Sequence, residues 1–371
     1  MSVTRDEVTV PRAPARRPSR GKVTHRKGRR RTVIVFAALA ALLLVAVTAG
    51  IAYGSVTVSP TVVWQVLWHR ITGLGDPSGW TLAQDGIVWD LRLPRVVLAA
   101  LVGAGLAVVG VSAQVLVRNP LADPFLLGIS SGAAVGAVTS IVVGVSFWGV
   151  TSHALAGFLG ALVAFAVVYL LARRGGGLAP TRLLLVGVVV GQALLGVTNY
   201  LVLQADDPGK TNSALFWLLG SLAGARWSDL GVPAGALVLG IVVLLARGQG
   251  LNALLVGDET AASLGVSPTR LRGELFATTS LVTGVMVALS GSIYFVGLVV
   301  PHAVRLLLGS DHRTVLPAAA LLGAGFLVLV DLIARSVLRP QELPVGIVTA
   351  MIGAPVFLLL MRRRRLSETG L

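Results

Sequence analysis

Residues 33–53 read VIVFAALAALLLVAVTAGIAY, a run with no charged side chain. A helix needs about 20 apolar residues to cross roughly 30 Å of hydrocarbon, so this run is long enough to span. Directly before it stands GKVTHRKGRRRT, residues 21–32, and eleven of the chain's 31 basic residues lie ahead of Thr32. Basic residues flanking an apolar span stay on the cytoplasmic side and are drawn to anionic lipid head groups. The pair reads as a retained membrane anchor with its N-terminus inside, rather than as a cleaved signal peptide.

The same pattern repeats along the chain. Of 371 residues, 55% are hydrophobic and 13% charged, with a mean hydropathy of +0.84, too few charges to solvate a water-facing surface. A soluble globule is excluded, and the fold class expected is all-α, a polytopic transmembrane helix bundle. Ten spans are expected, at about 33–54, 95–117, 124–146, 152–172, 182–204, 229–247, 273–291, 294–309, 315–335 and 344–361. Residues 1–32 read as a disordered basic tail, 33–362 as one membrane domain with a cytoplasmic loop at about 248–272, and 363–371 as a second tail. The 44 glycines let helices approach closely where lipid gives no hydrophobic drive for association; Gly128, Gly132 and Gly136, and Gly187 with Gly191, each recur on one helix face.

Charge sets the orientation. Arg362–Arg365 follow the last apolar run, so both termini are expected in the cytoplasm. That topology leaves 24 basic residues inside and seven outside: Arg70, Arg92, Arg95, Lys210, Arg226, Arg335 and Arg339. The net charge of +15 is thus a membrane signature, and no nucleic-acid partner is expected.

Chemistry is sparse. With no cysteine, disulfides and thiolate sites are impossible. His25, His69, His153, His302 and His312 form no i, i+4 pair, so no metal site is expected. No G-x-x-x-x-G-K-[ST] phosphate loop occurs; Gly209-Lys210-Thr211 has Gln204 where the first glycine belongs. Asp331 lies one turn before Arg335, placed for an i, i+4 ion pair that relieves the cost of a carboxylate in the membrane. His302, after Pro301, reads as a bundle histidine. Gln114, Ser130, Ser131, Gln192, Thr198 and Asn199 are the polar residues inside spans that could face a path.

Prolines punctuate the spans. Asn119-Pro120-Leu121-Ala122-Asp123-Pro124 must break the helix, because each proline removes a donor and pushes its predecessor out of the α region. Leu343-Pro344-Val345-Gly346 starts the last span, and Gly353-Ala354-Pro355 bends it. In Gly257-Asp258-Glu259-Thr260-Ala261-Ala262-Ser263-Leu264-Gly265, Asp258 can cap a short helix and Gly265 can end it. Ser267-Pro268 opens the next.

The stretch RLPRVVLAALVGAGLAVVGVSAQVLVRNPLADPFLLGISSGAAVG, residues 92–136, resembles the FecCD family of ABC importer permeases. So do GSIYFVGLVVPHAVRLLLGSDHRTVLP, residues 291–317, and DLIARSVLRPQELPVGIVTAMIGAP, residues 331–355. The likeness covers roughly residues 33–362. It implies a passive subunit of the bacterial plasma membrane that is not itself an enzyme. ATP and Mg would be bound by a separate ATPase present in two copies, and this chain would hold no cofactor. A binding protein would dock outside, and a second permease chain, identical or related, would complete the path. By the match, residues 257–265 look like the coupling helix that seats in the ATPase, and Arg92, Arg95 and Arg335 match positions facing acidic residues of the binding protein. The family carries ferric siderophores, haem or cobalamin, and a siderophore, the commonest cargo, is expected first. An ion-coupled secondary transporter is the alternative of a different class; it would need intramembrane carboxylates, and only Asp331 lies well within a span.

Overall fold

The computed structural model describes residues 21–54, 56–144, 152–174, 177–338 and 341–368. Each expected span is a helix. In chain order the helices are α1 (Gly21–Ala52), α2 (Pro60–Thr72), α3 (Leu82–Gly86), α4 (Leu93–Leu116), α5 (Ile129–Val143), α6 (Ser152–Ala172), α7 (Pro180–Leu203) and α8 (Pro208–Leu218). There follow α9 (Gly231–Ala246), α10 (Gly248–Val256), α11 (Asp258–Ser263), α12 (Pro268–Ser290), α13 (Val296–Leu308), α14 (His312–Ala334) and α15 (Val345–Glu368). A π turn at Ile87–Arg92 joins α3 to α4 without a break. A two-residue antiparallel pair, Arg173–Arg174 with Gly177–Leu178, closes the α6–α7 connection.

Helix α1 begins at Gly21, so the basic residues 21–32 read as disordered are helical. Residues 1–20 lie outside the described part, as do Arg339 and the side chains of Arg362–Arg365. Helices α2 and α8 are among those with no counterpart in the hydropathy pattern. Helix α2 starts on Pro60 and stops at Gly73, whose φ of 71° places it in the left-handed region and whose N–H bonds the His69 carbonyl. Helix α8 starts on Pro208 behind Asp207, which accepts from Gly209 N–H. Gly209-Lys210-Thr211 is therefore an ordinary helix start, with Lys210 2.9 Å from Asp206.

The most hydrophobic helices are not the most buried. Helix α4 is enclosed from Pro94 to Leu116 almost without interruption, packed by α9, α12, α13 and α14, whereas α1, α6, α7 and α9 turn most of their surface outward. Close approach is made by glycine. A Cβ on Gly132 would strike the Gly160 carbonyl of α6, and one on Gly128 would meet Gly187 of α7. The faces read from the sequence are therefore the α5–α6 and α5–α7 contacts.

Helices α5, α13 and the apolar part of α15 are too short to span alone. Helix α5 is preceded by a 3-10 turn, Pro124–Leu127, and the connection after α8, Leu219–Ser221, pairs with both the end of α12 and the start of α15. Ser221 N–H bonds Ser290 O at 2.9 Å, Val345 N–H bonds Gly220 O at 2.9 Å, and Gly346 N–H bonds Leu219 O at 3.1 Å. Irregular backbone survives at membrane depth only where protein satisfies it in this way.

Candidate transport path and coupling segment

Three of the six polar residues expected to face a path come together. Ser130, Ser131 and Gln192 line a cavity of about 420 Å³ between the start of α5, the middle of α7 and the residue 291–295 connection. Gly187 and Gly191 keep the α7 wall low, and Phe125 with Tyr294, ring centres 4.5 Å apart, form an aromatic side. Asp123 also lines it, but its carboxylate is already engaged, accepting from Phe125 N–H at 3.0 Å and from Phe295 N–H. Phe295 holds a φ of 69°, rare for a side chain with a Cβ.

The other three do not join the cavity. Thr198 is buried and donates to Leu194 O at 2.9 Å, and Asn199 is exposed on α7. Gln114 has a structural task that its neighbours in sequence do not reveal. Pro301 inside α13 has no N–H to give Gly297 O, and the Gln114 amide donates to that oxygen at 3.3 Å and to Leu298 O at 3.4 Å. Its own oxygen accepts from Arg305. His302 is buried in α13, as expected of a bundle histidine.

At the outer end the three arginines read as a docking surface are buried instead, Arg92 at 6%, Arg95 at 9% and Arg335 at 7% exposure. Arg95 donates to both Asp331 oxygens at 2.8–3.2 Å and to Glu342 at 2.8 Å. Arg335 makes the expected i, i+4 pair with Asp331 at 3.3 Å and donates to Gly50 O. Arg92 donates to the Ile51 and Ala52 carbonyls at 2.7 and 3.0 Å, and to Val56 O. A guanidinium with five donors can close a helix terminus and neutralise a carboxylate together, so these side chains tie α1, α4 and α14 to one another rather than presenting free charge.

The inner end is built on turns. Asn119 and Asp123 order the proline-rich turn by accepting from Leu121 N–H at 2.9 Å and Phe125 N–H at 3.0 Å. Helix α11 ends as expected, with Gly265 at φ 77° and Val266 N–H bonding Ala261 O at 2.9 Å. Asp258 does not cap it: Gly257 holds that position at φ 150°, and the Asp258 carboxylate receives a forked pair from Arg272 at 2.6 and 2.9 Å and a further bond from Arg118. The Arg272 hydrogen bond, foremost, holds its pKa below the ordinary carboxylate value. Behind it, Asn252 accepts from His312 N–H at 3.1 Å and donates to Asp311 at 3.0 Å. Ion pairs at 236 and 140 positions' separation leave no sequence signal; only the paired types, Arg with Asp in two opposite end regions, hinted at them. Among the described residues no cluster of three metal-ligating side chains occurs.

A bundle of apolar helices joined by internally satisfied turns, with a mainly apolar cavity carrying a few polar groups between two of them and a mostly exposed short helix at the inner end, is a membrane transport permease. The chain belongs to the FecCD transport family, whose sequence pattern matches residues 42–363. It is 47% identical over 279 residues to the cobalamin import system permease of Halobacterium salinarum, covering 75% of this chain and 74% of that one. It is 40% identical over 299 residues to the hemin transport system permease of Yersinia pestis, covering 78% and 89%. A solved structure of a metal-chelate type ABC transporter in an inward-facing conformation superposes with a TM-score of 0.77 at 32% identity, over 89% of this chain and 99% of that one. The protein is an ABC importer permease, a transport component integral to the plasma membrane.

Proposed function

We propose that this chain passes a bulky metal chelate from an extracytoplasmic binding protein to the cytoplasm, driven by a separate ATPase that binds ATP and Mg. The observation that carries the reading is the cavity between α5 and α7, lined mainly by apolar and aromatic side chains, with Ser130, Ser131 and Gln192 as polar points and the Asp123 carboxylate engaged by backbone N–H groups. Such a wall lets a large ligand slide without trapping it. A second permease chain would close the path along the exposed face of α7, where Leu185, Val189 and Leu195 stand uncovered. Residues 257–265 would meet the ATPase. The relatives named for cobalamin and hemin make those two chelates immediate competitors of the ferric siderophore.

The test is reconstitution in liposomes with the ATPase and binding protein, offering ferric siderophore, haem and cobalamin in turn. One chelate should accumulate in an ATP-dependent manner. Ser131→Trp with Gln192→Trp should abolish uptake while the complex still hydrolyses ATP. Uptake in the absence of the ATPase would overturn the reading in favour of a secondary transporter.

A further inference from the structure

Helix α11 is poorly fastened by packing. Of its six residues only Ala261 is buried, while Glu259, Thr260, Ala262 and Ser263 face outward. Leu264, Val256 and Leu255 beside it are exposed apolar residues, at 68%, 73% and 45%. Beyond the Ala261 methyl and the chain's own continuation into α10 and α12, the charged contacts offer a further route into the bundle. Asp258 bonds Arg272 near the start of α12 through two parallel N–H groups, and Arg118 just beyond the end of α4.

The Arg272 arm is fixed in place by burial, whereas the Arg118 side chain is 34% exposed. The Arg272 side chain is 5% exposed, and α12 packs against α4, α6 and α9. Arg118 stands at φ 52° and Gly257 at φ 150°, so the backbone on two sides adopts unusual conformations that bring the groups together. Helix α4 then runs from this joint through the centre of the molecule to Arg95, where Asp331 fastens it to α14.

We propose that Asp258 is the positioning residue of coupling: its carboxylate joins α11 to α4 and α12, so that a push on α11 reaches the two helices at the core. The proposal rests on the reading of residues 257–265 as the ATPase-facing segment. A forked arginine–carboxylate contact suits this task because it resists rotation as well as separation. A lysine at Arg272 would keep charge but lose that restraint.

The experiment uses the complete complex of permease, ATPase and binding protein in liposomes, and reads cargo moved per ATP hydrolysed. Asp258→Asn should lower this ratio at least tenfold, and Arg272→Lys by a smaller factor. Asp258→Glu, which keeps a carboxylate between the two arginines, should hold at least a third of the parent ratio, and the thermal midpoint of Asp258→Asn, read alongside, separates lost coupling from lost folding. A parent-like ratio in Asp258→Asn would overturn the proposal, as would an Asp258→Glu variant no better coupled than Asp258→Asn. Leu264→Asp serves the underlying reading. If it leaves ATPase co-purification unchanged, α11 is not the docking segment and the premise fails; if it weakens co-purification while Asp258→Asn stays coupled, only the joint fails.

Discussion

Asp331 shows how one side chain decides the fate of others. Buried with no exposure of its own, it sits between Arg95 and Arg335. Removing one member of a buried charged group leaves the others uncompensated, a cost of about 3–5 kcal/mol, whereas replacing the whole group by apolar residues is often near neutral. Asp331→Ala should therefore lower the thermal midpoint of the purified permease sharply, and Arg95→Met with Asp331→Leu and Arg335→Met should recover most of it. Gln114→Leu should cost about 1–3 kcal/mol, because it leaves the Gly297 carbonyl and the Arg305 guanidinium without a partner. Asp258 has a pH consequence. Its pKa in the folded chain lies below that of the unfolded chain, so its contribution is fully present above the unfolded value of about 4 and is lost as pH falls through the lower folded one. Hydrogen exchange of residues 257–265 should be constant from about pH 8 to 5, after correction for the intrinsic rate, and rise only in stronger acid.

Between elements, glycine contacts set the distances. Gly132 of α5 meets Gly160 and Ala164 of α6 with no room for a methyl group. Gly132→Val should push the two helices apart and cost about 1–3 kcal/mol of overpacking, read as a lower thermal midpoint in detergent. Gly273 in α12 has nothing within 4 Å of where a Cβ would stand. Gly273→Ala should be neutral or stabilise by up to about 1 kcal/mol, since alanine favours the helix. The outer connections follow another rule. Helix α2 buries Val63, Val66 and Leu67 and exposes Trp64 and Trp68; at thirteen residues it is too short for a hydropathy window tuned to spans, and so is α8.

Across the whole molecule, the distinction between outward and central helices organises the function. The exposed apolar surfaces of α1, α6, α7 and α9 suit lipid or a second chain, while α4 connects the charged groups at the two ends. The helices behind the ten expected spans, seven of them long and apolar enough to cross alone, and the proline turn at Asn119–Pro124 were legible in the sequence, because chain length against bilayer thickness and the missing proline donor are local constraints. The end of α11 was also legible from Gly265, and the start of α12 from Ser267-Pro268, although Gly257 and not Asp258 takes the cap of α11. Of the six polar residues proposed for a path, Ser130, Ser131 and Gln192 line the cavity, while Gln114 and Thr198 spend their hydrogen bonds on backbone carbonyls.

The sequence alone thus determined that the chain is a helical membrane protein, how often it can cross and where it turns, since each follows from the solvation of a short stretch of backbone. Only the tertiary structure decided which helix is central and that Arg92, Arg95 and Arg335 are buried among α1, α4 and α14. It likewise decided that the one carboxylate of Asp258 holds three helices. Those outcomes depend on which groups meet across the bundle. An arginine near a helix end has the same local sequence whether its carboxylate lies on a partner protein or 236 residues along its own chain.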